Sequence, residues 1–219
     1  MSRKQELRAE ETKQSILAAA TQLFGERGYD TVTMREIAKQ AGCSHTTIYI
    51  YFHDKEALLH LLSMPPLDQL KQQLTDILHT AQQSAEQKWK AICKEMVRFC
   101  FMNKTMYPIF FNVRAVRVDE QEPELPINKL RNELFALLTR ALQQCLQIDS
   151  NDERLLAFSR ICYYTMHGII GTYTHSEESA EQLLERLSTT FDTAFETLLL
   201  GFRQKLHQGD NHHENHTTV

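Results

Sequence analysis

Apolar residues recur along this chain at intervals of three and four, the spacing that places them on one face of an α-helix. In the segment 10–27, for example, apolar side chains stand at positions 16, 20, 23 and 24. The same period returns in the segments 127–147, 153–173 and 181–206. No stretch alternates between apolar and polar residues as a strand would, and no internal repeat is visible. The pattern therefore predicts an all-α protein.

Two signals near residue 40 predict a short helix that ends in a tight turn. Thr33 followed three residues later by Glu36 is a capping box, which places the start of the helix at Met34. Gly42 stands where a left-handed residue would end this helix, a conformation that other residues adopt only with strain.

A second short helix is predicted from His45 to Phe52, because Ser44 can cap its first turn. Asp54 then caps a third helix that begins at Lys55. Away from its apolar residues, the second helix is unusually dense in hydroxyl-bearing and ring side chains: His45, Thr46, Thr47, Tyr49 and Tyr51. This layout is that of a helix-turn-helix, whose second helix enters the major groove of DNA.

Residues 1–60 are predicted to form a three-helix DNA-binding module that begins with a flexible arm over residues 1–8. Its expected core is Phe24, Ile37, Ile48, Phe52 and Leu58. The boundary is placed after residue 60 because Pro65 and Pro66 remove two backbone donors and should stop or kink the helix before them.

Residues 61–207 are predicted to form a larger helical domain that binds an effector and makes a homodimer. The apolar stripe of the segment 181–206 is too wide for one neighbouring helix, which indicates burial against a second subunit as well. Gly168 and Gly171 would allow a close approach of backbones. The predicted dimer interface consists of Gly168, Gly171, Leu184, Leu187, Phe191, Leu198 and Phe202.

The middle of the chain is rich in aromatic residues and methionine, which first of all indicates a helical core. Part of it is a candidate lining for a small, largely apolar effector. The candidate residues are Trp89, Met96, Phe99, Tyr107, Phe110, Phe111 and His167. A satisfied core histidine remains the simpler explanation of His167.

The net charge of −4 shows no bulk basic character, so affinity for DNA has to come from the placement of positive groups and from dimerisation. Five cysteines without a C-x-x-C pair indicate reduced thiols in a cytoplasmic protein, and neither a signal peptide nor a membrane span is predicted. The polar, His-rich tail 208–219 is predicted to be disordered rather than to bind a metal. No nucleophile–base pair, metal-ligand spacing or phosphate-binding glycine loop is visible, so no enzymatic activity, cofactor or metal site is predicted.

Residues 12–59, TKQSILAAATQLFGERGYDTVTMREIAKQAGCSHTTIYIYFHDKEALL, resemble the TetR (AcrR-type) family of bacterial transcriptional regulators. The G-Y-D turn and the motifs T-x-R-E-I-A, A-G-x-S, T-x-Y-x-Y-F and K-E-x-L-L follow in the order and spacing of that family. The remainder is similar to the family in being helical, with two long final helices. The resemblance implies a ligand-responsive repressor that binds a pseudo-palindromic operator as a dimer and is released by a small-molecule effector.

The resemblance also implies which residues contact DNA. They are Thr33, Arg35, Ser44, His45, Thr46, Thr47, Tyr49, Tyr51 and Lys55. Hydroxyl groups and phenols donate to phosphate oxygens, whereas His and Thr side chains can reach base edges. Lys55 is expected to contact a phosphate. Ile50 departs from the family, in which many members have a polar or aromatic residue there, and is either a thymine-methyl contact or inert.

Two other functions stay open at this point. One is an all-α ligand carrier or enzyme whose N-terminal module does not bind DNA, and binding to the DNA upstream of the protein's own gene would separate it from a regulator. The other is an architectural DNA-binding protein without an effector, which a filled C-terminal core would favour.

Overall fold

The computed structural model describes residues 3–214, and the side chains of residues 3–208. Nine helices and no strand form in residues 3–214, which confirms the all-α prediction. The helices are α1 (Arg3–Arg27), α2 (Met34–Gln40), α3 (His45–Tyr51), α4 (Lys55–His79), α5 (Ala85–Met102), α6 (Tyr107–Phe111), α7 (Pro126–Leu146), α8 (Glu153–Tyr173) and α9 (Ala180–Glu214).

The chain divides into two compact units. The first comprises the chain up to Lys71 together with Asn103–Asn132, and the second comprises Gln72–Met102 together with the chain from Glu133 onward. The division differs from the predicted boundary after residue 60, because α6 and the loop that follows it pack with the first unit. A role of the second unit in effector binding and dimerisation stays a prediction.

The three N-terminal helices pack around the core that the sequence pattern predicts. Its members are almost fully buried: Phe24 (2% exposed), Ile37 (0%), Ile48 (0%), Phe52 (4%) and Leu58 (0%). The connection from α1 to α2 adds Tyr29 and Val32 to this core. The helix-turn-helix thus rests on a filled apolar interior.

Helix α4 does not stop at Pro65 and Pro66, so of the two predicted outcomes, a stop or a kink, the stop was wrong. Both prolines lie inside a helix that is continuous from Lys55 to His79. A proline inside a helix costs about 3 kcal/mol or more. Buried leucines on either side of the prolines offset this cost: Leu58, Leu59, Leu67 and Leu70 are each at most 2% exposed.

Both ends of the described chain are more helical than predicted. Helix α1 begins at Arg3, so the arm predicted over residues 1–8 is helical from that residue on. Helix α9 reaches Glu214, so the part of the tail from 208 to 214 is helical rather than disordered. Each residue added to an existing helix gains a backbone hydrogen bond, which lets a helix continue past its last buried side chain. Residues 215–219 lie outside the described residues.

Buried polar side chains of α7 hold the C-terminal end of α6. Arg131, 5% exposed, donates from Nε to the carbonyl of Phe110 (2.6 Å) and from Nη2 to the carbonyl of Ile109 (3.1 Å). Its Nη1 donates to the carbonyl of Val113 (3.0 Å) and to Oδ1 of Asn128 (2.6 Å). These bonds satisfy carbonyl groups that have no partner within a helix end.

In the second unit, α9 packs against both α5 and α8. Phe158 of α8 stacks on Phe202 of α9 with 4.3 Å between ring centroids, and Trp89 of α5 meets Phe195 of α9 edge-on at 5.9 Å. Ion pairs join α5 and α9: Lys90 to Glu196 (3.0 Å), Lys94 to Asp192 (2.7 Å) and Arg203 to Glu86 (2.9 Å).

Candidate nucleic-acid interface

The start of α2 is fixed by the capping box that the sequence predicts. The N–H group of Glu36 donates to Oγ1 of Thr33 (3.3 Å), and the N–H group of Thr33 donates to Oε2 of Glu36 (2.8 Å). Hydrogen bonds from the side chain and backbone of Thr33, together with Arg27 at 2.9 Å, lower the pKa of Glu36 to about 2. The hydroxyl group of Thr33 also donates to Glu36 (2.7 Å). The first role of Thr33 is therefore to start α2, and its contact with DNA stays a prediction.

The turn between α2 and α3 has the geometry that Gly42 predicts. Its φ is 71°, the left-handed region in which a side chain would be strained. The N–H group of Cys43 donates to the carbonyl of Ala38 (3.0 Å), which closes the end of α2. Ser44 then caps α3, because its Oγ accepts from the N–H group of Thr47 at 2.9 Å.

Helix α3 has one buried seam, and its opposite face is open. Ile48 is fully buried and anchors the helix on the module. With about 3.6 residues per turn, Thr46 and Ile50 lie nearly opposite Ile48. Both are exposed, as is Tyr49. The side chains that project farthest from the module are therefore Thr46 and Ile50.

The other polar side chains of α3 are partly engaged within the helix. The rings of His45 and Tyr49 meet edge-on, with 5.1 Å between their centroids. The hydroxyl groups of Thr47 and Ser44 are 2.7 Å apart, and Thr47 is half-buried. Tyr51 is also half-buried. The structure thus adds Ile50 to the expected set of outward residues and places Thr47 at its edge.

Two basic side chains of the predicted set differ in their surroundings. Lys55 donates from Nζ to the carbonyls of Tyr29 (2.7 Å) and Val32 (3.0 Å) and lies 4.2 Å from the centroid of the Tyr29 ring. It uses two of its three N–H bonds to hold the connection from α1 to α2, and its contact with a phosphate stays a prediction. Arg35 of α2 is exposed and makes no ion pair with the described residues.

His53 and Ile50 are outward residues that do not belong to the predicted set of DNA contacts. His53 directly follows α3 and is exposed, and Ile50 has 76% of its surface open to solvent. Counting one helical turn forward from Thr46 and Tyr49 would have found both.

The residues predicted for the dimer interface fall into two groups. Leu187, Phe191 and Phe202 are 4–5% exposed and pack in the core of their own subunit, and their place in the interface stays a prediction. They lie on the side of α9 that packs against α5 and α8. Leu184 and Leu198 are half-buried, and Gly168 and Gly171 are exposed.

Large apolar side chains are instead exposed elsewhere on α8 and α9. Ile161 is 43% exposed, Tyr164 is 56% exposed, and Leu200 is 65% exposed. A Cβ atom built at Gly168 or Gly171 would meet no atom within 4 Å. Ile161, Tyr164, Gly168 and Gly171 follow one another at intervals of three and four, so they share one side of α8. Neither this side of α8 nor Leu200 of α9 is covered within the unit.

The residues predicted to contact an effector lie in both compact units. Tyr107, Phe110 and Phe111 are buried in the first unit, whereas Trp89, Met96 and Phe99 are buried in α5 of the second. His167 contacts the ring of Tyr163 at 4.1 Å between centroids, and burial lowers the pKa of His167 to about 4. It is therefore uncharged at neutral pH.

Three buried polar atoms of the second unit lack a hydrogen-bond partner among the described residues. They are Nε1 of Trp89, Oγ1 of Thr139 and Oγ of Ser159, and of these residues Trp89 and Ser159 are fully buried. Leaving a buried polar group unpaired costs about 1–3 kcal/mol. Such groups are rare in folded proteins and often mark a place where a ligand or an ion supplies the missing partner.

Neither a membrane span nor a metal site is found among the described residues. In this part of the chain, no helix has the length and apolar character to cross a membrane. Over the same residues, no three side chains of His, Cys, Asp or Glu are grouped so that they could bind a metal ion.

The capped α2, the left-handed Gly42 and the outward face of α3 define a helix-turn-helix protein. Residues 16–62 match the model of the bacterial regulatory proteins of the tetR family. The helix-turn-helix part of the chain is therefore similar to that of the TetR family, and its helical fold is similar to that of a solved TetR family regulator.

Curated relatives match about a quarter to a third of the chain. The HTH-type transcriptional regulator HbdR of Aromatoleum sp. (strain CIB) is 43% identical over 65 residues, which are 30% of this chain and 28% of that protein. The HTH-type transcriptional regulator AcrR of Shigella flexneri is 43% identical over 58 residues, 26% of this chain and 27% of that protein. The matches span little more than a quarter of the length of these relatives.

Solved structures share the fold over most of the chain. The TetR family regulator PfmR from Thermus thermophilus has a TM-score of 0.62 at 20% identity and covers 84% of this chain and 93% of its own. The regulator FadR from Bacillus subtilis, in complex with stearoyl-CoA, has a TM-score of 0.61 at 21% identity, with 85% and 97% covered. The ketosteroid regulator KstR2 of Mycobacterium tuberculosis has a TM-score of 0.65 at 19% identity, with 86% and 93% covered.

Proposed function

We propose that the protein is a ligand-responsive transcriptional repressor of the cytoplasm, which binds a pseudo-palindromic operator as a homodimer and is released by a small molecule. The observation that carries this proposal is α3, a helix anchored through Ile48 with an outward face of hydroxyl-bearing, ring and apolar side chains. Such a face suits the phosphates and base edges of a major groove.

A homodimer is supported by the uncovered face of α8 and α9. Exposed apolar side chains that lie close together mark surfaces that partners cover. Ile161, Tyr164 and Leu200 supply the apolar area, and Gly168 and Gly171 leave room for a second backbone. A second copy related by a two-fold axis would present two α3 helices to successive major grooves, about 34–36 Å apart.

A largely apolar effector is supported by the aromatic interior of the second unit. Nε1 of Trp89 and Oγ of Ser159 are buried there without a partner among the described residues, so an effector with a hydrogen-bond acceptor would relieve a cost already present. FadR of Bacillus subtilis, which has a similar fold, was crystallised in complex with stearoyl-CoA. Long-chain acyl thioesters are therefore the first class of effector to test.

In this proposal the effector acts by a shift between two geometries of the dimer. One geometry fits the spacing of the operator, and the effector binds the other more tightly. The coupling free energy in such systems is typically about 1–3 kcal/mol, which corresponds to roughly 5–150-fold in affinity.

The test is a titration of the DNA upstream of the protein's own gene by fluorescence anisotropy. We expect specific binding that is lost in Thr46→Glu, because a carboxylate would then face the phosphates from the outward side of α3. Gln121→Glu makes the same change of charge in an exposed loop of the first unit and should bind as the wild type does. Stearoyl-CoA should release the DNA. Retention of a ligand without any binding of DNA would instead favour a carrier.

A further inference from the structure

Ile50 has the most exposed side chain among the large apolar residues of the described chain. It is 76% exposed, ahead of Leu200 at 65% and Leu7 at 59%. When a partner covers an apolar side chain that was exposed to water, the free energy of the system falls. The subunit itself leaves 76% of Ile50 open to water, and this exposure points to a partner outside the chain.

The place of Ile50 on α3 limits what that partner can be. It stands one helical turn after Thr46 and nearly opposite the buried Ile48. Tyr49 and His53 beside it offer hydrogen bonds, whereas Ile50 offers none. Any group of DNA that Ile50 recognises must therefore be apolar.

The major groove presents one apolar group that distinguishes a base, the C5-methyl group of thymine. We propose that Ile50 recognises this methyl group and thereby favours thymine at one base pair of each half-site. The inference rests on the proposed function, because it assumes that α3 lies in the major groove. It goes further by assigning one base and one chemical group to a residue outside the polar set.

The experiment removes the methyl group alone. An operator is first selected with the wild-type protein from random duplexes, and each thymine is then replaced in turn by deoxyuridine. At one thymine of each half-site we expect affinity to fall about fourfold, since burial of one such carbon group contributes about 0.8 kcal/mol. Replacement in both half-sites should cost about fifteenfold.

The Ile50→Ala variant is then measured with the same two DNA duplexes, so that each protein is compared on thymine and on deoxyuridine. Its side chain no longer reaches the methyl group, so thymine and deoxyuridine should bind this variant equally well. The substitution is on an exposed helical surface where alanine has a high helix propensity, so the fold is retained. Val116→Ala shortens another exposed β-branched side chain, 45% exposed in a loop of the first unit, and should keep the full thymine preference.

A second duplex tests the addition of a methyl group instead of its removal. The identified T·A pair is replaced by C·G, and the cytosine is then methylated at C5. Methylation should restore part of the affinity for the wild-type protein and none for Ile50→Ala.

The outcomes separate the two proposals. If the wild-type protein selects an operator but no thymine is sensitive to loss of its methyl group, the role of Ile50 is overturned and the regulator stands. The same conclusion follows if Ile50→Ala keeps the discrimination of the wild type. If the wild-type protein selects no DNA at all, the proposed function fails together with the inference.

Discussion

The ammonium group of Lys55 lies 4.2 Å from the centroid of the Tyr29 ring and donates a hydrogen bond of 2.7 Å to the carbonyl of the same residue. One residue thus offers Lys55 both an aromatic face and a backbone acceptor. A second carbonyl, that of Val32, accepts at 3.0 Å. The first turn of α4 is in this way tied to the loop that precedes the helix-turn-helix.

Lys55→Met should lower the free energy of unfolding by about 1.5–3 kcal/mol, because charged hydrogen bonds to two carbonyls are lost while the length of the side chain is kept. Urea unfolding followed by circular dichroism measures this. Lys39→Met changes an exposed lysine of α2 and should stay within about 0.5 kcal/mol. Equal midpoints for the two variants would contradict a structural role for Lys55.

The contact of Lys55 with a phosphate has its own signature. If its third N–H bond reaches DNA, Lys55→Met should also weaken binding to all sequences alike. The slope of log K against log[salt] should then fall by the amount expected for about one phosphate contact. The measurement is a binding titration against operator and unrelated DNA at two salt concentrations, well below the midpoint of unfolding. A change in the specificity ratio would be inconsistent with a phosphate contact.

Glu36 should make the stability of the module depend on pH in acid. Its pKa is about 2 in the folded chain, below the ordinary value of 4.5, so its contribution is complete above pH 4.5 and is lost as the pH falls towards 2. In Glu36→Gln the thermal midpoint should therefore depend less on pH over this window than it does in the wild type. Glu10→Gln, an exposed change on α1, should retain the slope of the wild type.

Two serines should respond to alanine in opposite directions. Ser44 caps α3, so Ser44→Ala should cost about 1 kcal/mol. The hydroxyl group of Ser159 is buried without a partner among the described residues, so Ser159→Ala should be neutral or stabilise by about 1 kcal/mol. Urea unfolding of both variants gives the comparison, and a clear loss of stability in Ser159→Ala would reveal a partner.

Leu200→Arg should yield a folded monomer, because it places a charge on the uncovered face of α8 and α9. Phe191→Asp should instead unfold the second unit, since it buries a carboxylate in the core of the subunit. Sedimentation velocity at micromolar concentration, together with circular dichroism, distinguishes these results. A Leu200→Arg protein that remains dimeric would place the interface elsewhere.

Local signals predicted the local structure well. The pair Thr33 and Glu36, and the glycine at position 42, act over a few residues, and the structure has both as expected. The partners of Lys55 lie 23 and 26 residues away in the chain, and no spacing rule connects them. The local signals therefore specified where α2 begins and ends but not which distant side chains meet.

The wide stripe of α9 shows a different limit of the pattern. Spacing identifies apolar positions, but it does not say which edge of the stripe faces the chain's own helices. Phe191 and Phe202 fill the interior, and Leu200 remains outside. Pro65 and Pro66 did not end α4 for a related reason, because burial of leucines on both sides outweighed the local signal.

Arg131 joins α7 to the end of α6 through hydrogen bonds to three backbone carbonyls and to Oδ1 of Asn128. A guanidinium group keeps its proton at any pH at which the protein folds, and burial removes these bonds from the reach of mobile ions. The bonds of Arg131 should therefore persist as salt is varied, whereas the binding of phosphates varies steeply with salt. A loss of DNA affinity at high salt would thus not arise from release of the contact that Arg131 makes between α6 and α7.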